Sequence, residues 1–373
     1  RALGPETAKY RLLGTAGNLL TFDRLGVLPT RNFQGGTFAA AERLSGERLA
    51  AERRRERTGC AACAVGCEHR YLPAGGEGSV RLEYESLFAL GPLLGIEDPD
   101  AVLRAARLCD EYGMDTLSFG GTLAWAMETA SRGLLPEARG DFRFGSGGAV
   151  LEALHLTARR EGLGDLLAEG SRRAAERVGG GSDAWAMHVK GLELPGYEPR
   201  GLKTLALGLA VGSRGACHNR SSAYDADFSA GADRLRAGLP RGRDAAESED
   251  RAAVLDALVI CKFLRRCLPD FYADTAKLVR LLTGWEVTPE ELRAAGARIV
   301  TLKRLYNQRE GASREHDTLP PRILREELAD GPGAGTVLTP AELDAMLDDY
   351  YAARGWSPDG TVGGEQARDA LRG

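Results

Sequence analysis

The chain has 373 residues, 43% hydrophobic and 27% charged, with a formal net charge of −4 and a pI near 5.9. That length supports two domains with substantial cores. There is no basic excess to suggest a nucleic-acid surface. No window approaches the ~18 apolar residues of a membrane span.

The first residues, from Arg1, carry no secretory pattern and read as a processed chain, a subunit or a fragment. The run Arg53-Arg-Arg-Glu-Arg57 follows an Ala- and Glu-rich stretch and reads as a solvated helix end. Ser79-Val-Arg-Leu82 is one of few alternating stretches and a candidate strand. The start signal Asp98-Pro99-Asp100 opens a helix over 101–112, with Val102, Leu103, Ala106 and Leu108 on a broad apolar face. Helical spacing recurs over 147–160, 165–178, 249–268, 274–282 and 289–309. Thr288-Pro289-Glu290-Glu291 and Thr339-Pro340-Ala341-Glu342 are matched helix openings: an N-cap, proline in the first turn, then acids near the positive dipole end. Gly179-Gly-Gly-Ser-Asp183 and the loop-like 190–201 place a domain boundary near 185–190. The expected fold is mainly α.

Cys60, Cys63 and Cys67 form C-x2-C-x3-C between Gly59 and Glu68. Thiols this close cannot staple a large fold, but they can grip one metal centre from a tight loop. Ala61, Ala62, Ala64 and Gly66 keep the loop small. In a chain this long the pattern favours reduced, metal-binding thiols, and hence the cytoplasm, over disulfides. Zinc also accepts C-x2-C, but usually with a second C-x2-C or His pair, which is missing. A [4Fe–4S] cluster wants a fourth thiolate, from Cys109, Cys217, Cys261 or Cys267. Asp256 precedes Cys261 by five residues, and Asp110 precedes Asp115 by five. The repeat suggests two similar lobes holding one large ligand.

These residues resemble the aldehyde ferredoxin oxidoreductase family. The shared features are C-x2-C-x3-C, a distant cysteine and paired D-x-x-G-L-(D/C) segments. Here the segments are Asp110-x-x-Gly113-Met114-Asp115 and Asp256-x-x-Val259-Ile260-Cys261; the second loses the glycine. Gly26-Val-Leu-Pro-Thr-Arg-Asn-Phe33, Glu83-Tyr-Glu-Ser86, Pro199-Arg-Gly201, Arg214-Gly-Ala-Cys-His218, Asn307-Gln-Arg-Glu-Gly311 and Asp317-Thr-Leu-Pro320 extend the likeness along nearly the whole chain.

The resemblance implies two multi-helical domains, at 1–187 and 188–373, without the family's N-terminal β-rich domain. That domain would be a missing part of the chain or a separate subunit. It implies a [4Fe–4S] cluster on Cys60, Cys63, Cys67 and Cys261, with Cys267 the nearest rival for the last place. It implies a tungsten (or molybdenum) bis-pyranopterin contacted by Asp110, Gly113, Asp115, Asp256 and Cys261. The carboxylates would accept hydrogen bonds from the donor-rich pterin edge. Glu85, with Glu83 in reserve, would activate water or the substrate carbonyl, and His218 would donate a hydrogen bond to the substrate oxygen. The reaction implied is oxidation of an aldehyde to a carboxylic acid, with electrons passing to ferredoxin.

Blander readings stand beside these. The acids would be solvated helix ends, His218 a structural histidine, Cys261 a buried apolar cysteine. Alternatives of function are a non-catalytic iron–sulfur electron-transfer subunit, or a family member acting on a sugar aldehyde, a hydroxy acid or an aromatic acyl thioester. Glu152-Ala-Leu-His155 matches the E-x-x-H motif by which some family members dimerise. A single short match reads better as an exposed acid beside a histidine, so a homodimer is left open and not expected.

Overall fold

The structure, a computed structural model, describes residues 2–75, 78–138, 140–238 and 240–372. The chain divides into two mainly helical units. One comprises Ala8–Gly201 and Pro320–Val337; the other comprises Arg1–Thr7, Leu202–Leu319 and Leu338–Gly373. The boundary expected at 187/188 falls inside the first unit, which runs on to Gly201 and takes back a later segment.

Buried charge explains that return. Arg322 donates to both carboxylate oxygens of Glu128, at 2.6 and 2.8 Å, and to the Asn32 carbonyl at 2.7 Å. Burial pushes the Glu128 carboxyl up. Hydrogen bonds and charge from Arg322, with Asn32 and Arg132, outweigh it and bring the group down to about 2. Arg200 and Glu198 form a second buried pair at 2.8 Å, and Arg200 also reaches the carbonyls of Glu326 and Glu327 at 3.3 and 3.4 Å. Glu128 needs its distant partner Arg322 because a lone buried ion is costly, and the buried Arg200 fork uses the returning segment's carbonyls for its remaining donors.

In the first unit, strands β1 (Arg54–Thr58), β2 (Glu68–Tyr71) and β3 (Val80–Arg81) form an antiparallel sheet in that order, with Thr58 opposite Glu68 and Tyr71 opposite Val80. The basic run expected as a helix end is thus mostly strand β1, exposed at every position. Its register comes from pairing with β2, because a strand charged throughout carries no alternation. Helices α1 (Tyr84–Leu90), α2 (Pro99–Tyr112), α3 (Thr116–Ser131) and α4 (Gly147–Arg159) follow. α1 packs on α3, and α2 on α4. The core lies along α3, buried continuously from Phe119 to Thr129. The helix expected over 165–178 is broken into Leu163–Leu167 and Gly170–Val178, because Gly170 takes a left-handed φ of 80°.

In the second unit, α5 (Lys203–Val211) is buried on every face. Helix α6 (Arg241–Ala257) packs on α5, on α8 (Pro289–Arg309) and on α9 (Pro340–Arg354); α7 (Phe271–Thr283) packs on α8. Close approach depends on Gly242 and Gly296: a Cβ there would stand 2.2 Å from the Tyr350 nitrogen and 2.6 Å from the Asp250 carbonyl oxygen. Val254, Leu255, Phe271, Tyr272, Ala276 and Leu292 form a buried cluster. The openings at Thr288 and Thr339 are both capping boxes, closed by Glu291 and Glu342. The helix expected over 249–268 instead starts at Arg241 and stops at Ala257. Among the described residues no helix is long and apolar enough to cross a membrane.

Candidate functional site

The cysteine segment is the tip of the β1–β2 hairpin. The Cys63 N–H donates to the Cys60 carbonyl at 3.0 Å, and Ala62 and Gly66 adopt left-handed φ values of 59° and 55°. These features turn the chain tightly, and buried Val65 pins the tip to the unit. Cys60 and Cys63 are exposed, Cys67 is half-buried, and none is in a disulfide. Three thiols on one short loop, outside any disulfide, are donors of the kind an iron–sulfur cluster uses. Among the described residues, no three His, Cys, Asp or Glu side chains converge on a common metal position, so the donors are presented without a finished cage.

The two acid segments adopt one backbone design. At the end of α2, the Gly113 N–H donates to the Asp110 carbonyl at 3.2 Å and the Met114 N–H to the Cys109 carbonyl at 2.8 Å. At the end of α6, the Val259 N–H donates to the Asp256 carbonyl at 3.2 Å and the Ile260 N–H to the Leu255 carbonyl at 2.9 Å. Both are Schellman turns in identical register. Gly113 and Val259 hold the left-handed position, with φ of 65° and 55°. Asp115 then caps α3, and Cys261 occupies the N-cap of a 3₁₀ segment, Lys262–Cys267. Asp110, Asp115, Asp256 and Cys261 are all exposed. A carboxylate in the last helical turn sits against the negative end of the dipole and is locally unfavourable. Carbonyls and carboxylate together make an acceptor-rich surface, which suits a ligand edge rich in N–H donors.

Val259 is the outlier. A β-branched residue rarely takes a left-handed backbone, and this one is 91% exposed, so no apolar burial compensates the strain.

Glu83 and Glu85 flank the start of α1 and have different surroundings. Glu83, the N-cap residue, accepts from the Thr15 hydroxyl at 2.5 Å and lies 3.5 Å from Arg81. Thr15 in turn receives the Tyr84 N–H at 2.8 Å, so Glu83 is built into the joint that fixes the helix start. Half-buried Glu85 accepts the Gly196 N–H at 2.9 Å, and the Tyr84 hydroxyl donates to the Gly196 carbonyl. Residue 196 therefore positions the Glu85 carboxylate.

In the second unit, His218 opens a short helix, His218–Ser221, behind buried Cys217. Burial, with the charges of Lys262 and Arg214, lowers the His218 ring to about 3, so it is neutral near pH 7. Lys262, adjacent to Cys261, donates to the Asn219 side chain and carbonyl at 3.1 and 3.3 Å and lies 4.9 Å over the Tyr224 ring. Burial and neighbouring Arg265 bring its ammonium down to about 7. Arg220 forms an ion pair with Asp256. The second turn and the histidine segment thus meet through Arg220 and Lys262. Sequence reasoning passed over both, although one stands two residues after His218 and the other directly after Cys261.

Cys109 is buried, and burial beside Asp110 and Asp115 pushes its thiol up to about 12, which fits the expected core role. Cys267, the rival fourth ligand, is half-buried at the end of the 3₁₀ segment. His155 bonds the Tyr112 hydroxyl at 2.7 Å on an exposed face.

Residues 3–369 match the family described as aldehyde ferredoxin oxidoreductase, domains 2 & 3. Tungsten-containing aldehyde ferredoxin oxidoreductases from Pyrococcus abyssi and Pyrococcus furiosus are 38% and 36% identical over 376 and 374 residues. Each comparison covers 95% of this chain and 59% of the relative, so the chain spans about three fifths of the curated relatives' length. An aliphatic sulfonate oxidoreductase, WOR-like subunit, from Pyrococcus furiosus is 29% identical over 80% of this chain and 47% of its own. In fold, the chain is similar to the active site complex BamBC of benzoyl coenzyme A reductase, solved with 1,5-dienoyl-CoA. That match has a TM-score of 0.74 at 20% identity and covers 96% of this chain and 60% of that one. The match over almost its full length places this chain in the aldehyde ferredoxin oxidoreductase family.

Proposed function

We propose that this chain supplies cluster ligands, pterin-contacting acids and acid–base groups to an oxidoreductase that converts an aldehyde and water to a carboxylic acid. Two electrons and two protons leave per aldehyde, and ferredoxin is the electron acceptor. The observation that supports this best is the matched pair of Schellman turns, each ending an acid-bearing helix, in a chain of this family. When bound, a tungsten (or molybdenum) bis-pyranopterin supplies the two-electron acceptor and a [4Fe–4S] cluster the one-electron exit.

The chain's own residues have separate tasks in this reading. Cys60, Cys63, Cys67 and Cys261 hold the cluster. Asp110, Asp115 and Asp256 accept hydrogen bonds from pterin N–H groups, and Gly113 keeps the first turn narrow. Glu85, oriented by the Gly196 N–H, takes a proton from water. Glu83 is the weaker candidate because its carboxylate is bonded to Thr15. His218 is neutral, so its N–H can polarise the substrate carbonyl without surrendering a proton.

The test is aldehyde oxidation by the protein carrying its cofactors. Glu85→Gln is expected to lower kcat by about 10²–10⁴-fold with metal content unchanged, the usual range for a lost general base. Glu83→Gln is expected to leave kcat within a few-fold. A Glu85→Gln protein of full activity would remove Glu85 from the mechanism.

A further inference from the structure

Half-buried Lys262 follows Cys261 directly, at the start of the 3₁₀ segment. Three contacts fix its ammonium. It donates to the Asn219 side-chain oxygen at 3.1 Å and to the Asn219 carbonyl at 3.3 Å, and it lies 4.9 Å over the Tyr224 ring. The backbone is held as well, because Arg265 donates to the Lys262 carbonyl at 3.0 Å. Every partner of the ammonium is a neutral group.

The acids nearby are taken by other cations. Asp225 receives both prongs of Arg265, each at 2.9 Å, and Asp256 pairs with Arg220. Arg214 adds a further positive charge near His218. Among the described residues Lys262 forms no ion pair, so the segment keeps an uncancelled positive charge. Burial and Arg265 both oppose that charge, yet the ammonium is pinned in place and does not swing out to water.

The acid turn supplies the contrast. At the same register, directly after Asp115, it carries Thr116, whose hydroxyl shares a 3.0 Å hydrogen bond with Ser86. The cation therefore accompanies the thiol and not the carboxylate. A lysine ammonium reaches ~6 Å from its own Cα, and adjacent Cα atoms are ~3.8 Å apart, so the charge stands within about 10 Å of the Cys261 Cα. That is about one Debye length at physiological salt, and a half-buried charge is screened less than an exposed one.

We propose that Lys262 is the counter-charge of the iron–sulfur cluster that Cys261 helps to hold, and that it raises the reduction potential of that cluster. The inference rests on the ligand reading given above. Clusters held by four thiolates carry net negative charge, and their potentials follow the charges around them. Reduction adds one electron, drawn from the pterin-bound metal and later passed to ferredoxin, and no bond forms or breaks. A fixed cation nearby favours the state with the extra electron. Lys262 is thus a positioning residue for charge: it touches no reacting atom and acts through the cluster.

The test is a redox titration of the protein carrying its cofactors, followed by electron paramagnetic resonance at pH 6, where the ammonium is charged. Lys262→Met is expected to weaken reduction of the cluster by about tenfold, a fall of about 59 mV for one electron, with the cluster absorbance unchanged. Lys262→Arg, which keeps the charge, should stay within about twofold of the unsubstituted protein. Lys277→Met, at an exposed lysine on α7, should change nothing. If Lys262→Met assembles no cluster, Lys262→Gln, which keeps a donor toward Asn219, decides the matter. An unchanged potential in Lys262→Met, an equal fall in Lys262→Arg, or failure of both neutral variants to assemble a cluster would each overturn the proposal. A cluster that persists at the original potential in Lys262→Met removes this inference alone; an unsubstituted protein that assembles no cluster removes the ligand reading with it.

Discussion

The turns at 110–115 and 256–261 share a backbone and differ in what they carry. Both place an aspartate in the last turn of a helix, a left-handed residue three positions later, and an N-cap residue two positions after that. The first has glycine at the left-handed position and aspartate at the cap; the second has valine and cysteine. Asp256 pairs with Arg220, whereas the Asp110 carboxylate has no partner among the described residues. Local geometry can therefore be kept while one position changes its chemistry from a capping carboxylate to a thiol. The strain at Val259 is the cost of keeping the turn without the glycine.

The sharpest way to break the likeness is at the cap. Cys261→Ala is expected to abolish the visible absorbance of the cluster in the reconstituted protein. Asp115→Ala should leave that absorbance intact and cost about 1 kcal/mol, because it removes only the cap on the Ser118 N–H. Cluster absorbance that survives Cys261→Ala would end the ligand assignment.

The next effect separates the turns by the unit that holds them. Arg322→Ala removes the two-pronged buried partner of Glu128, leaving Arg132 and Asn32, and should destabilise the first unit by about 1.5–3 kcal/mol in denaturant titration. The pair also has an acid signature. The Glu128 value of about 2 lies below the ordinary 4.5, so its contribution is full above about pH 4.5 and is lost as pH falls toward 2. Arg322→Ala should flatten that acid limb; an unchanged acid profile would assign it to other carboxylates.

Exchanging the left-handed residues has the smallest effects, of opposite sign. A Cβ at Gly113 would meet nothing within 4 Å, so Gly113→Val pays only for backbone strain, about 1 kcal/mol. Val259→Gly relieves the same strain but frees the unfolded chain, leaving a gain below about 1 kcal/mol. Thermal melts of the two variants should move in opposite directions. Movement in the same direction would show that the turns are not equivalent.

The regular parts of the fold were legible where one residue type dictates local structure. Thr-Pro-x-Glu openings became capping boxes, and α8 spans the residues its spacing indicates. Three features were not legible, for identifiable reasons. Strand β1 is charged throughout and owes its form to pairing. Helix α3 is buried on all sides from Phe119 to Thr129, so it shows little amphipathic period to detect. Glu128 and Arg322 are 194 positions apart, and local sequence does not signal their pairing. Within the site, the spacing of Asp256 and Cys261 was visible, but the unbroken apolar period ran a helix straight through them. Only the left-handed Val259 reveals the turn. Arg220 and Lys262 matter through neighbours brought in by folding, so motif spacing gave no hint of them.

The account rests on the two turns and the hairpin cysteines serving one redox enzyme. Elemental analysis of the purified protein tests this most directly. The account predicts roughly four iron atoms per chain, as a [4Fe–4S] cluster requires, together with tungsten or molybdenum. Iron without either heavy metal would reduce the chain to an electron carrier, and zinc alone would contradict the cluster itself.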